Sequence, residues 1–146
     1  MKNRLKGCMM HETDNWKTPK KMYNYYMKQK YIDCFKYNST ENEYENNYYK
    51  KKLFVNPPYS QMDKVTDWLI DQYKNECEIV LLVPARTDTK WFHRLLKLQP
   101  LIYFIKGRLK FNESKNGAPF PSLLIKINQY KTGYWEELDQ EIYEEC

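Results

Sequence analysis

Glycine is scarce, with four in 146 residues and none between Gly7 and Gly107. Any close approach of backbone to a ligand in that interval must be made by residues carrying a Cβ. Cysteine is equally thin. Cys8, Cys34, Cys77 and Cys146 stand far apart without paired spacing, which argues against a disulfide scaffold and reads as free intracellular thiols. There are two histidines, and Cys8-x-x-His11 lacks the two further ligands a metal site needs, so no metal is expected. Ser60, Ser122, His93 and Asp33 form no convincing nucleophile–base series, which speaks against a hydrolase. No apolar run approaches the ~18 residues of a membrane span. The basic N-terminus has no long apolar stretch and does not read as a secretory signal. The expected setting is cytoplasmic, with no membrane partner.

What is present is an aromatic, basic chain. Hydrophobic residues make up 42% and aromatics 16%, enough to build the core of one domain without staples. Lysine and arginine number 24 against 19 aspartates and glutamates, a net charge of +5. The charge is unevenly spread: residues 1–60 carry +6, residues 101–128 carry +4, and residues 129–146 carry −5. A basic body suggests a polyanionic partner, most simply nucleic acid. A lysine-rich surface that is merely soluble, inflated by an AT-rich genome, is the competing explanation.

Hydrophobic patterning predicts alternating strands and helices. Thr18 is placed to cap a helix with Pro19 at its first position, and residues 20–29 follow as helix with Met22 and Tyr26 inward. Tyr31–Phe35 reads as a strand interrupted by Asp33, residues 37–51 as irregular cover, and Leu53–Val55 as a strand halted by Asn56-Pro57-Pro58-Tyr59. Residues 62–74 and 88–98 read as helices. Glu78–Val83, Leu101–Ile105 and Ser122–Ile127 read as strands, and the chain after Gly133 as an acidic helix or frayed end. The alternation predicts an α/β domain with a mostly parallel sheet and helices on both faces. Ligands of such sheets sit beyond the carboxyl ends of the strands. Asp33, the 56–59 turn and Pro84-Ala85-Arg86 are therefore expected to converge on one crevice. Residues 1–14 form an N-terminal extension, 15–128 the domain, and 129–146 an acidic tail.

Asn56-Pro57-Pro58-Tyr59 carries the most specific chemistry. Two prolines fix the backbone and remove two N–H donors. The turn then presents carbonyl acceptors, an asparagine amide and an aromatic face. Such a set could hold a planar group bearing an NH₂, with the Asn56 oxygen and the Pro57 carbonyl as acceptors and Tyr59 stacked on the ring. A proline turn closing a strand, with Tyr59 in the core, is the plainer alternative. Arg86 borders the crevice or contacts phosphate, unless it is only a solvated neighbour of a helix cap. Lys106, Arg108 and Lys110 alternate with Leu109 and Phe111 as a basic strand edge able to meet DNA phosphates, or to discourage aggregation. Trp16 and Trp91 read as core.

Five stretches in order resemble the phage-type DNA adenine-N6 methyltransferases, a Dam-like family that uses S-adenosylmethionine. They are Asn15-Trp16-Lys17-Thr18-Pro19, LFVNPPYS at 53–60, LLVPARTDTKWFH at 81–93, FIKGRLKF at 104–111 and APFPSLLI at 118–125. The resemblance implies a Rossmann-like class I methyltransferase fold and methyl transfer to the exocyclic amine of a flipped adenine in DNA. Asn56, Pro57, Pro58 and Tyr59 would then be catalytic. Thr18, Pro19, Asp33 and Asn56 would hold the cofactor, and Tyr59, Arg86, Lys106, Arg108 and Lys110 would meet DNA. A phage or prophage origin in a bacterial host is also implied, with oligomeric state open.

One feature departs from that family pattern. A methyltransferase usually has a glycine-containing turn after its first strand, and further strands and helices before the catalytic one. Here Asp33-Cys34-Phe35-Lys36-Tyr37-Asn38 has no glycine, and the interval to Asn56 has room for one short element. The fold is thus expected to be abbreviated, with the adenosine pocket shortened or built differently. Two alternatives stand beside the enzyme. One is a catalytically silent methyltransferase fold that binds DNA or inhibits a host defence protein. The other is a methyltransferase acting on RNA adenine or a protein glutamine amide.

Overall fold

The computed structural model describes residues 16–143. Three α-helices and six β-strands lie within it: α1 Lys20–Lys28, β1 Ile32–Cys34, β2 Lys52–Val55, α2 Met62–Lys74, β3 Glu78–Pro84, α3 Lys90–Leu96, β4 Leu101–Ile105, β5 Ser122–Ile127 and β6 Trp135–Leu138. Short 3₁₀ turns occupy Glu43–Glu45, Tyr59–Gln61, Phe111–Glu113 and Gln140–Tyr143.

The helices follow their apolar spacing. In α2, Val65, Trp68, Leu69 and Gln72 recur at i, i+3, i+4 and i+7, and all four are buried. In α1, Met22 and Tyr26 form the buried stripe. Lys30 and Glu76, just beyond the two helices, take positive φ of 66° and 62° and turn the chain out. Thr18 does not cap α1. Pro19 holds the capping position, its carbonyl accepts Tyr23 N–H at 2.9 Å, and the Thr18 hydroxyl is used elsewhere. Thr89 caps α3 by accepting Phe92 N–H at 3.3 Å.

The six strands form one sheet in the order β1-β2-β3-β5-β4-β6. β1 and β2 pair in parallel, as do β2 and β3 and β4 and β6, while β5 runs antiparallel to both β3 and β4. The sheet is therefore mixed rather than wholly parallel. The physical reason lies in the connections. Segments with helices join β2 to β3 and β3 to β4 and keep the strand direction. The helix-free connection 106–121 returns β5 as the antiparallel neighbour of β4 and slots it against β3.

Over its central strands the sheet is covered on both faces. On one, α2 and α3 pack Trp68, Leu69, Phe92 and Leu95 against Leu53, Val55, Ile79 and Leu81. On the other, α1 and the Gln140–Tyr143 turn pack Met22, Tyr26 and Tyr143 against Phe54, Val80 and Leu82. The side chains of β2 and β3 are buried on both faces from Leu53 to Val55 and from Ile79 to Val83, as expected of central strands. Burial of one side chain such as Phe54 contributes about 1.5–3 kcal/mol.

Two local readings change. The segment expected to be an acidic helix or frayed end supplies β6. Its pairing with β4 prevails because Leu138 enters the core while Trp135 packs its ring against Phe104 at 5.7 Å. Lys106, Arg108 and Lys110 lie beyond β4 in an irregular loop, not on a strand edge. Gly107 at φ +75° turns the chain out of the ladder, and in the loop only Leu109, Phe111 and Ala118 are buried. No helix among the described residues is long and apolar enough to cross a membrane.

Candidate functional site

Because β1, β2, β3, β4 and β6 share one direction, their carboxyl ends share one edge of the sheet. Asn56 leaves β2 at this edge. Its Nδ2 donates to the Trp16 carbonyl at 2.6 Å and to the Thr18 hydroxyl at 2.9 Å. A carbonyl oxygen can only accept, so the amide orientation is fixed by chemistry. Oδ1 points the other way and accepts the Tyr59 hydroxyl at 2.8 Å. That leaves one Oδ1 lone pair for a further donor. The Tyr59 ring meets Phe120 edge-on at 5.9 Å. Burial pushes the Tyr59 hydroxyl well above its ordinary pKa, so it stays protonated and remains a donor. Trp16 packs edge-on against Phe111 and Phe120, at 5.2 and 5.3 Å.

Beside this turn opens a cavity of about 640 Å³, walled by Trp16, Asp33, Asn56 and Pro58 on one side and by the 35–48 loop on the other. Its volume lies within the roughly 300–1,000 Å³ of small-molecule sites. Asp33 ends in this space and accepts the Tyr23 hydroxyl at 3.0 Å. Burial raises the Asp33 carboxyl above its ordinary value, and the Tyr23 bond and the Lys36 charge oppose that rise. The chain connecting β1 to β2 begins with Phe35 in the left-handed region, at φ +58°. Asn38 takes the same φ of +58°. The left-handed positions of this turn are thus held by residues with side chains, without a glycine.

The convergence expected from topology is therefore partial. Asp33, Asn56 and Pro58 line one cavity. Thr18 reaches the site through Asn56, while Pro19 serves the start of α1. Pro57 is buried behind the turn, and Tyr59 is half-buried with its hydroxyl engaged. Arg86 is exposed and lies outside the cavity lining, because Ala85 N–H bonds the Pro121 carbonyl at 2.9 Å and draws the end of β3 toward β5. Lys106, Arg108 and Lys110 are exposed on the loop leaving the same sheet edge, with Arg108 Nη1 donating to the Ala118 carbonyl at 3.2 Å. Of the two tryptophans read as core, Trp91 is buried and Trp16 is half-buried against the site.

Sequence reasoning missed Glu43, Tyr23 and Gln61. Glu43 sits in a stretch without periodicity, and nothing in that stretch distinguishes it from Glu41 or Glu45. Tyr23 adjoins the buried stripe of α1, the one available hint that it faces the sheet. Cys8 and His11 lie outside the described residues, and no group of three or more metal-ligating side chains occurs among those described.

A family model described as DNA N-6-adenine-methyltransferase (Dam) matches residues 7–134. No curated protein and no solved structure matches the chain.

Proposed function

The chain belongs to the DNA N-6-adenine-methyltransferase (Dam) family, and from that membership we propose that it methylates the exocyclic amine of adenine in DNA, using S-adenosylmethionine. The observation that carries this reading is the fixed Asn56 amide. Asn56 lines a ligand-sized cavity, and its oxygen has one acceptor position left. The abbreviated class I methyltransferase fold belongs to the same reading. It is supported by the switch of strand direction at β5 and by a cavity at the carboxyl edge of the sheet.

The residues present suit the cofactor. Asp33 offers a carboxylate to an α-ammonium group. Trp16, Phe35, Tyr37 and Tyr44 line the cavity, and aromatic rings suit both a planar base and a cationic sulfur. When bound, S-adenosylmethionine supplies an electrophilic methyl group.

The protein's own contribution is placement. Adenine in a duplex is out of reach and must be extruded. Asn56 Oδ1 and the Pro57 carbonyl would accept the two hydrogens of the amine and hold its lone pair toward the cavity. The same two oxygens offset the positive charge that develops on the nitrogen. Tyr59 serves twice: its hydroxyl steadies Oδ1 and its ring flanks the base. Because the amide orientation is fixed beforehand, little reorganisation is needed at the moment of reaction.

Transfer of tritium from labelled S-adenosylmethionine to duplex DNA tests the proposal. Incorporation at adenine that disappears in Asn56→Ala is expected. Cofactor binding without transfer to DNA would overturn the reading, and incorporation into RNA or protein alone would replace the acceptor.

A further inference from the structure

The cavity wall is built without glycine, and one carboxylate holds it. Glu43 Oε1 accepts the Phe35 backbone N–H at 2.9 Å. Glu43 Oε2 accepts the Tyr48 hydroxyl at 3.0 Å and also the Asn46 side-chain amide. A single side chain thereby clamps the first residue of the loop to the last turn before β2. Left-handed backbone is disfavoured for a residue with a Cβ and persists only where its surroundings enforce it. At Phe35, its immediate neighbours supply that enforcement. Glu43 takes its N–H, and its ring lies edge-on between Tyr44 and Trp68, each at 5.2 Å. The loop is fastened from outside as well. Trp68 Nε1 donates to the Asn46 carbonyl at 2.9 Å, and the Tyr44 hydroxyl donates to Gln61 Oε1 at 2.6 Å.

We propose that Glu43 is a positioning residue for the cofactor: its carboxylate holds the 35–48 loop in the shape that binds the adenosyl group, replacing the absent glycine turn. The inference rests on the reading that this cavity takes S-adenosylmethionine. Glu43 also lines the cavity, but both its oxygens are engaged by the loop's own donors, and its effect on the ligand runs through the loop's shape. Bonds to an ionised carboxylate are the stronger class of hydrogen bond, which suits one residue holding three donors. A loop already in its bound shape spares the ordering cost that ligand binding would otherwise meet.

Calorimetric titration of the full chain with S-adenosylmethionine tests this, for wild type, Glu43→Ala, Glu43→Gln and Tyr48→Phe. Glu43→Ala is expected to weaken cofactor binding by about tenfold or more, through the lost preorganisation. Its affinity for a DNA duplex, read by fluorescence anisotropy, stays near wild type. Glu43→Gln and Tyr48→Phe each remove part of the clamp and fall between. Amide exchange at Phe35 should quicken in the Glu43 variants, a change that general destabilisation would spread over the whole core. Should Glu43→Ala fail to fold, the same criteria apply to the two milder variants. Folded variants that bind cofactor as wild type does, with Phe35 equally protected, overturn the inference alone. A wild-type protein that binds no cofactor overturns the reading of the site and the inference with it.

Discussion

The Tyr59 hydroxyl donates to Asn56 Oδ1 at 2.8 Å, so the first and last residues of the turn act as one unit. Tyr59→Phe separates the two roles of the ring and the hydroxyl. The ring keeps its packing on Phe120, while Oδ1 loses the Tyr59 donor. A hydrogen bond of this kind contributes about 0.5–1.5 kcal/mol, so the rate of methyl transfer should fall about 2- to 10-fold. Tyr59→Ala loses the ring too and should fall much further. Single-turnover kinetics with duplex DNA distinguish them, and equal rates in the two variants would remove the hydroxyl from the argument.

Thr18 is the other half of the same lock. Its hydroxyl accepts Asn56 Nδ2 at 2.9 Å instead of capping α1. Thr18→Val keeps the shape and removes the acceptor, leaving a half-buried N–H without its partner at a cost of about 1–3 kcal/mol. Thr18→Ser restores the acceptor and most of the loss. Denaturant melts report the stability change, and transfer assays should follow it in direction. A serine variant no better than the valine one would contradict the assignment.

The elements with strong periodicity were legible in the sequence. α2 was bounded at 62–74 from its apolar spacing, and β3 from its unbroken apolar run, because packing agrees with local pattern there. Asn56 and Asp33 could be placed at strand ends, and so at one edge of the sheet. The loop that completes the cavity was illegible, because Glu43 works through hydrogen bonds between residues with no shared period. Thr18 misled because two acceptor roles, cap and amide partner, ask for the same residue type. β6 was hidden by its charges. Glu136 and Glu137 occupy an exposed edge strand, where carboxylates discourage further pairing, and they look like a solvated helix in a linear reading.

In the core of α2, the Thr66 hydroxyl is fully buried with no hydrogen-bond partner. Thr66→Val replaces it with a methyl group of nearly the same size. Relief of the buried polar group should stabilise the fold by about 1 kcal/mol, raising the denaturant midpoint without altering the slope. A destabilised valine variant would mean that the hydroxyl is paired in solution.

The exposed cations on the carboxyl edge of the sheet make a prediction about salt. Arg86 leaves β3, and Lys106 and Lys110 lie just beyond β4, all on the side that carries Asn56. If each meets a phosphate, Arg86→Ala, Lys106→Ala and Lys110→Ala should each weaken duplex binding across sequences. Each should also reduce the slope of log K against log salt by about 1. Lys74→Ala, at the end of α2, serves as the control and should leave the slope unchanged. Slopes that do not move in the first three variants would place the duplex elsewhere.

Asp33 sets stability against function. Burial, with the Glu43 charge adding to it, raises its carboxyl pKa above the ordinary 3.8, despite the Tyr23 hydroxyl and the Lys36 charge. Between the unfolded value and the raised folded one, the folded chain holds more proton than the unfolded chain, so this group's contribution to stability falls as pH rises through that window. At neutral pH the ionised carboxylate therefore opposes folding. Asp33→Asn keeps an acceptor for Tyr23 and removes the buried charge. The variant should be at least as stable as wild type at pH 7, and its advantage should vanish as pH drops below 3.8. If Asp33 meets the α-ammonium as proposed, the variant's affinity for S-adenosylmethionine should fall sharply. Thermal melts across pH, paired with calorimetry at pH 7, read both effects. A variant less stable at pH 7 that binds cofactor undiminished would show that Asp33 is a structural residue and not a ligand.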